Sequence, residues 1–151
     1  MSEAGTTGSL VWRLSTRWRA AVDRTVAPFG LTHAQYVLLA TLYGLSLRGE
    51  RPSQRQLADA TGLEPVYVSR LARALEQADL IHRAGAADPR AVEIALTSHG
   101  EAVVIPAIAA VRQLHDELVE PLGGPHSANH QRFRRLLRAL LRESSPGEPI
   151  A

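Results

Sequence analysis

The sequence predicts a mainly α-helical fold carrying one small β-hairpin, and three observations lead there. Apolar residues recur at helical spacing through most of the chain. Two Ser/Thr-x-x-Gln boxes, at Thr32 and Ser53, and a glycine at 62 punctuate its middle. Behind an Asp-Pro-Arg tip at 88–90, the residues of 91–97 then alternate like a strand with one buried face.

The chain has 151 residues with 45% hydrophobic content, enough for one core but hardly two, so a single domain or one intertwined unit is expected. No window approaches the roughly 18–20 continuous apolar residues of a membrane span, and MSEAGTTGSLVW lacks the basic start and apolar run of a signal peptide; a cytoplasmic protein is expected. The absence of cysteine removes disulfides, thiolate nucleophiles, thiol redox sensing and most structural zinc sites. All 17 basic residues are arginine, against 15 acids. Guanidinium suits phosphate and groove recognition, although an Arg/Ala/Gly-rich composition set by codon usage explains it equally. Residues 126–151 carry five arginines against Glu143 and Glu148, whereas residues 48–97 balance seven arginines with seven acids. Nucleic-acid binding by the middle must therefore rest on placement rather than on bulk charge.

The elements follow in order. Leu10, Leu14, Trp18, Val22 and Val26 form a helical stripe over residues 8–29, with Gly30 as the stop. Thr32 and Gln35 open a second helix that runs to about residue 47 and carries Val37, Leu38, Leu39, Leu42 and Leu45. Ser53 and Gln56 open a short helix stopped at Gly62, with Leu57, Ala58 and Leu63 facing inward. Pro65 suits a first turn, and Val68, Leu71, Ala72 and Leu75 recur at i, i+3, i+4 and i+7 to about residue 78. Two helices joined by a tight glycine turn spell helix-turn-helix. Strands are expected at 80–83 and 91–97, and Ser98 with Glu101 is expected to cap a long helix to about residue 120, kinked or ended early by Pro106. After PLGGP comes a last helix with Phe133, Leu136, Leu137, Leu140 and Leu141.

This order of elements resembles the MarR family of winged-helix transcriptional regulators. Four stretches carry the resemblance: GLTHAQYVLLATL at 30–42, RPSQRQLADATGL at 51–63, VSRLARALEQADLI at 68–81 and DPRAVEIALTSHG at 88–100. In two places the chain departs from the family, with Asp79 where a Gly often precedes the wing and Glu64 where a Ser, Thr or Asp often precedes the recognition helix. The resemblance implies a winged helix-turn-helix DNA-binding lobe over 32–97, dimerisation helices over 8–29 and 98–144 in an intertwined helical dimer, and a tail at 145–151. It further implies a homodimeric repressor of a pseudopalindromic operator in double-stranded DNA, released by a small-molecule effector. Two recognition helices about one turn apart, ~34 Å, fit adjacent major grooves.

The site residues follow from that placement. On the helix from Pro65, the core stripe leaves Val66, Tyr67, Ser69, Arg70 and Arg73 on the outer face, at the spacing of a groove-facing surface. The bland alternative is a solvated face with Arg70 and Arg73 paired to Glu76 or Asp79. Ser53, Gln54 and Arg55 begin the preceding helix, where free N–H groups and the helix dipole suit a phosphate. At the hairpin tip Asp88 orients Arg90 toward a narrow minor groove; an ordinary turn with an Asp-Arg pair is the alternative. Leu10, Leu14, Leu118, Phe133, Leu137 and Leu140 are expected at the dimer contact. The resemblance places a ligand cleft near Trp12, Trp18, His33, Tyr36 and His115, although aromatics at such spacing are more often core. His126 and His130 stand at i, i+4 without a third ligand in reach, so neither a metal nor a cofactor is expected. Enzyme readings lack parts: the chain has no Gly-x-Ser-x-Gly, His-Glu-x-x-His or phosphate loop. The rival reading is a winged helix that binds another protein, which the zero net charge of 48–97 permits.

Overall fold

The protein is described by a computed structural model over residues 5–84 and 92–141. Its elements are α1 (Thr7–Val26), α2 (His33–Leu47), α3 (Gln54–Thr61), α4 (Pro65–Gln77), β1 (Ile81–Ala84), β2 (Glu93–Leu96), α5 (Ser98–Leu118) and α6 (Ala128–Leu141). Two compact units divide within α5, between Val111 and Arg112.

In the first unit α2 and α3 start where their capping side chains dictate. The Thr32 hydroxyl accepts the Gln35 N–H at 3.2 Å while the Gln35 carbonyl oxygen accepts the Thr32 N–H at 3.0 Å, and Ser53 and Gln56 repeat the exchange at 3.2 and 2.8 Å. Two orphan donors are thereby satisfied at each start. Helix α1 tightens into a 3₁₀ turn, Ala27–Phe29, before Gly30, and α3 ends on Gly62, a left-handed position with φ 71°. Helix α2 sits at the centre, touching α1, α3, α4 and β2. Its Leu38, Leu39 and Leu42 are buried together with Val22, Val26, Leu57, Val68, Leu75, Ile81, Ile94, Val104 and Val111. Leu57 and Ala58 face inward as expected, whereas Leu63 is half-buried.

The end of α4 decides where the hairpin starts. Asp79 takes a left-handed conformation, φ 58°. Its N–H then donates to the Glu76 carbonyl at 3.0 Å and the Leu80 N–H to the Leu75 carbonyl at 2.9 Å, closing the helix as a Schellman motif. With Leu80 used in that closure, β1 begins at Ile81, and the antiparallel register runs from Ile81 opposite Leu96 to Ala84 opposite Glu93. The first strand is thus offset by one residue from the expected 80–83, while the second, Glu93–Leu96, lies within the expected 91–97. A third extended stretch also joins, since the Ile94 N–H donates to the Pro52 carbonyl at 2.9 Å and Ser53 bridges to Glu93.

Thr97, not Ser98, caps α5. Its hydroxyl accepts the Gly100 N–H at 2.9 Å and donates to the Asp79 carbonyl at 2.6 Å, while its own N–H donates to the Leu80 carbonyl at 3.1 Å. This draws the first turn of α5 against the hairpin base so closely that a Cβ on Gly100 would collide with the Leu80 carbonyl. Pro106 does not end the helix, which is continuous from Ser98 to Leu118. Pro106 supplies no N–H to the Ala102 carbonyl one turn back, and Ala102 lies on the exposed side of the helix.

The second unit holds the end of α5, a 3₁₀ turn at Glu120–Leu122, and α6. Gly123 and Gly124 reverse the chain with φ 95° and 88°. The Ser127 hydroxyl donates to the Leu122 and Gly124 carbonyls at 2.8 and 3.0 Å and accepts the His130 N–H at 3.1 Å, opening α6. No residue of α6 is buried in the single chain.

Candidate nucleic-acid interface

The exposed face of α4 is the side opposite its core stripe. Val68, Leu71, Ala72 and Leu75 are buried, and 100° per residue then turns Val66, Tyr67, Arg70 and Arg73 outward, with Ser69 at the margin. Val66 is 73% exposed and Tyr67 39%. Pro65 occupies the first turn, preceded by Glu64, whose side chain makes no capping bond. The first N–H groups of α4 therefore keep no side-chain acceptor from the cap residue.

The arginines of this face are not neutralised by acids among the described residues. Glu76 is held instead by Arg83 of β1, with Nε and Oε2 2.7 Å apart. Arg70 lies over the Tyr67 ring, its Cζ 5.9 Å from the centroid, and Arg73 donates to the Ser69 carbonyl and hydroxyl at 3.4 and 3.3 Å. The pairing of Arg70 and Arg73 with Glu76 or Asp79, the bland alternative for this helix, does not form. Neither the Tyr67–Arg70 stack nor the Glu76–Arg83 pair was read from the sequence; the i, i+3 spacing of Tyr67 and Arg70 was the available signal for the first.

At the start of α3, Ser53 and Gln54 are half-buried and Arg55 is exposed. The Ser53 hydroxyl is engaged by Gln56, which leaves the N–H groups of Gln54 and Arg55 without intrahelical acceptors. Asp88 and Arg90, expected at the hairpin tip, lie outside the described residues.

The residues expected around a ligand cleft are divided between the units: Trp12, Trp18, His33 and Tyr36 in the first, His115 in the second. Trp12 is 73% exposed, while Trp18, His33 and Tyr36 are half-buried. The Asp23 carboxylate accepts the His33 backbone N–H at 2.7 Å. Burial lowers the His33 imidazole pKa below its ordinary 6.5; the Asp23 charge opposes this and the Arg19 charge adds to it. Elsewhere in the first unit a cavity of about 380 Å³ is lined by Leu42, Ser46, Glu50, His82, Leu96 and Glu101, among others, and includes none of the four first-unit residues above. Among the described residues no group of His, Cys, Asp and Glu is placed to hold a metal ion, and no helix is long and apolar enough to cross a membrane. The His130 Nδ1 lies 2.8 Å from the Pro125 carbonyl.

Of the six residues expected at a dimer contact, four are exposed in the single chain. Leu10 is 53% exposed, Leu14 44%, Leu137 37% and Leu140 72%, with Leu118 and Phe133 half-buried. The stripe of α1 is thus split, its Val22 and Val26 in the core and its Leu10 and Leu14 in solvent.

Comparison with known proteins bears on the whole arrangement. The family model described as MarR family matches residues 31–88, a stretch that takes in α2, α3, α4 and β1. The uncharacterized HTH-type transcriptional regulator YdcH of Bacillus subtilis (strain 168) is 32% identical over 108 residues, 71% of this chain and 74% of the relative. In structure, the chain is similar to S. aureus MepR in its DNA complex, at 25% identity, with 95% of this chain and 100% of that one covered and a TM-score of 0.79. It is likewise similar to CouR from Rhodococcus jostii RHA1 bound to p-coumaroyl-CoA, at 25% identity, with 96% and 98% covered and a TM-score of 0.78. A winged helix-turn-helix, an outward α4 face free of acid pairing and a relative of this identity and coverage converge: the chain belongs to the MarR family of DNA-binding transcriptional regulators.

Proposed function

We propose that the protein is a homodimeric repressor that binds a pseudopalindromic operator and is released by a small-molecule effector. The observation that carries DNA reading is the α4 face, where Tyr67, Ser69, Arg70 and Arg73 stand together with no acid paired to either arginine among the described residues. A guanidinium reads guanine O6 and N7 through two parallel hydrogen bonds, and Arg70 is the residue assigned that contact. Ser53, Gln54 and Arg55 are assigned to phosphate, and Arg90 with Asp88 to the flanking minor groove. The similarity to MepR in its DNA complex supports this reading.

Two sets of uncovered leucines, Leu10 with Leu14 on α1 and Leu137 with Leu140 on α6, support a second copy as their cover. Dimerisation helices are thus proposed over 8–29 and 98–144, flanking a DNA-binding lobe at 32–97. For the effector, the support is the similarity to CouR, a protein bound to p-coumaroyl-CoA. Trp12, Trp18, His33 and Tyr36 are the first-unit residues assigned to that ligand.

Selection of binding sites from a library of random duplexes tests the proposal. The expected result is enrichment of a twofold-symmetric site with half-sites about one helical turn apart and an affinity that falls steeply with salt. Failure to enrich any duplex overturns it and returns the lobe to a protein-binding module, the reading its balanced charge permits. Enrichment of an asymmetric site by a monomer overturns the dimer alone.

A further inference from the structure

We propose that Tyr67 sets the sequence preference of α4 by holding Arg70, acting as a positioning residue and not as a base contact of its own. This rests on the reading of α4 as the groove-facing helix. Tyr67 stands in the first turn of α4 and Arg70 one turn later, an i, i+3 pair whose side chains meet on one helix face. The Arg70 Cζ lies 5.9 Å from the Tyr67 ring centroid, within the range of a cation–π contact.

That contact has a consequence for reading. A guanidinium is attracted to a ring through its flat face, and its N–H donors lie at its edge, so the contact orders the group without consuming the donors that guanine requires. Arg73 is held differently. Its Nε and one terminal nitrogen are turned back onto Ser69 through long hydrogen bonds of 3.4 and 3.3 Å, which must be released before those donors reach a base. Of the two arginines Arg70 is the one presented ready for bidentate contact, and the ring beneath it is what presents it. Among the described residues no acid is paired with it, and Glu76, the one acid of α4, is bound to Arg83. Tyr67 is 39% exposed and stands outside the buried core stripe of α4.

The experiment measures dissociation constants and selected sites for the full-length protein, Tyr67→Ala, Tyr67→Phe, Arg70→Ala and the double alanine variant. Tyr67→Ala is expected to weaken the preferred operator about two- to fivefold, the scale of an exposed cation–π contact, and to relax preference at the same base position that Arg70→Ala relaxes. The double variant is expected to bind no more weakly than Arg70→Ala alone, and Tyr67→Phe, which keeps the ring, to retain the native preference. Melting temperatures are expected to coincide across the set. Additive losses, relaxation at two different positions, or a Tyr67→Phe variant as impaired as Tyr67→Ala would show that Tyr67 touches DNA itself and overturn the proposal. Absence of duplex binding by the unsubstituted protein overturns both this inference and the function it rests on, and is told apart from the other outcomes by that control.

Discussion

Replacing Gly100 by alanine tests the close approach of α5 to the hairpin root. A Cβ there would collide with the Leu80 carbonyl oxygen and stand 2.9 Å from its carbon and 3.2 Å from the Leu96 Cδ2. The obstacle is backbone, and it is fixed: the Leu80 carbonyl accepts the Thr97 N–H at 3.1 Å, and the neighbouring Asp79 carbonyl accepts the Thr97 hydroxyl at 2.6 Å. Overpacking of a well-packed site costs about 1–3 kcal/mol, and a rigid obstacle places this case near ~3. Against it, alanine gains about 1 kcal/mol over glycine inside a helix. The net loss is about 2 kcal/mol, which lowers the melting temperature by roughly 4–8 °C for a chain of this size. Gly44 of α2 supplies the control, because a Cβ there meets nothing within 4 Å. Gly44→Ala is expected to gain about 0.4–1 kcal/mol. Thermal unfolding followed by circular dichroism, at matched protein concentration, compares the two. A Gly100→Ala melting temperature equal to or above the native value refutes the steric reasoning.

Three further outcomes are expected. Asp79→Gly should raise stability by about 1 kcal/mol and Asp79→Ala should lower it, since the position has a positive φ that glycine adopts freely and alanine does not; urea titration reads both, and shifts of the same sign would contradict the backbone account. Because burial lowers the His33 pKa in the folded protein, the unfolded chain binds its proton first: the stability tied to neutral His33 is complete above pH 6.5, falls as pH drops through 6.5, and levels off below the depressed folded value. A His33→Gln variant should lose that segment of the stability–pH curve, and a curve that superposes on the native one would remove His33 as its source. Leu140→Asp, at a residue 72% exposed in the single chain, should yield monomers in sedimentation at micromolar concentration while leaving the far-ultraviolet spectrum unchanged; a persisting dimer would place the contact elsewhere.

What the sequence discloses here is what local chemistry controls. Thr32 with Gln35 and Ser53 with Gln56 form their reciprocal caps because both partners lie within one turn. The stripe of Val68, Leu71, Ala72 and Leu75 is buried throughout, so the outward residues of α4 were legible as its complement. Where adjacent residues offer similar chemistry, a distant partner decides. Ser98 has a glutamate three residues on, yet Thr97 caps α5 because its hydroxyl also reaches Asp79, 18 residues back. Asp79 was visible as a departure from the family pattern, but its φ of 58° comes from the Schellman closure that turns α4 into β1. The Pro52 carbonyl joins the sheet through a single bond to Ile94, with no alternation in its own stretch to announce a strand. Glu76 turns from its own helix to Arg83, a choice that depends on where β1 lies.

The Thr97 side chain and backbone together tie three elements at one point: the last turn of α4 through the Asp79 carbonyl, the hairpin root through the Leu80 carbonyl, and the first turn of α5 through the Gly100 N–H. These hydrogen bonds couple the positions of the three elements: on the function proposed above, a tilt of the first turn of α5 is expected to carry α4 and the hairpin root with it, changing the angle at which they meet a duplex while the side chains they present stay the same.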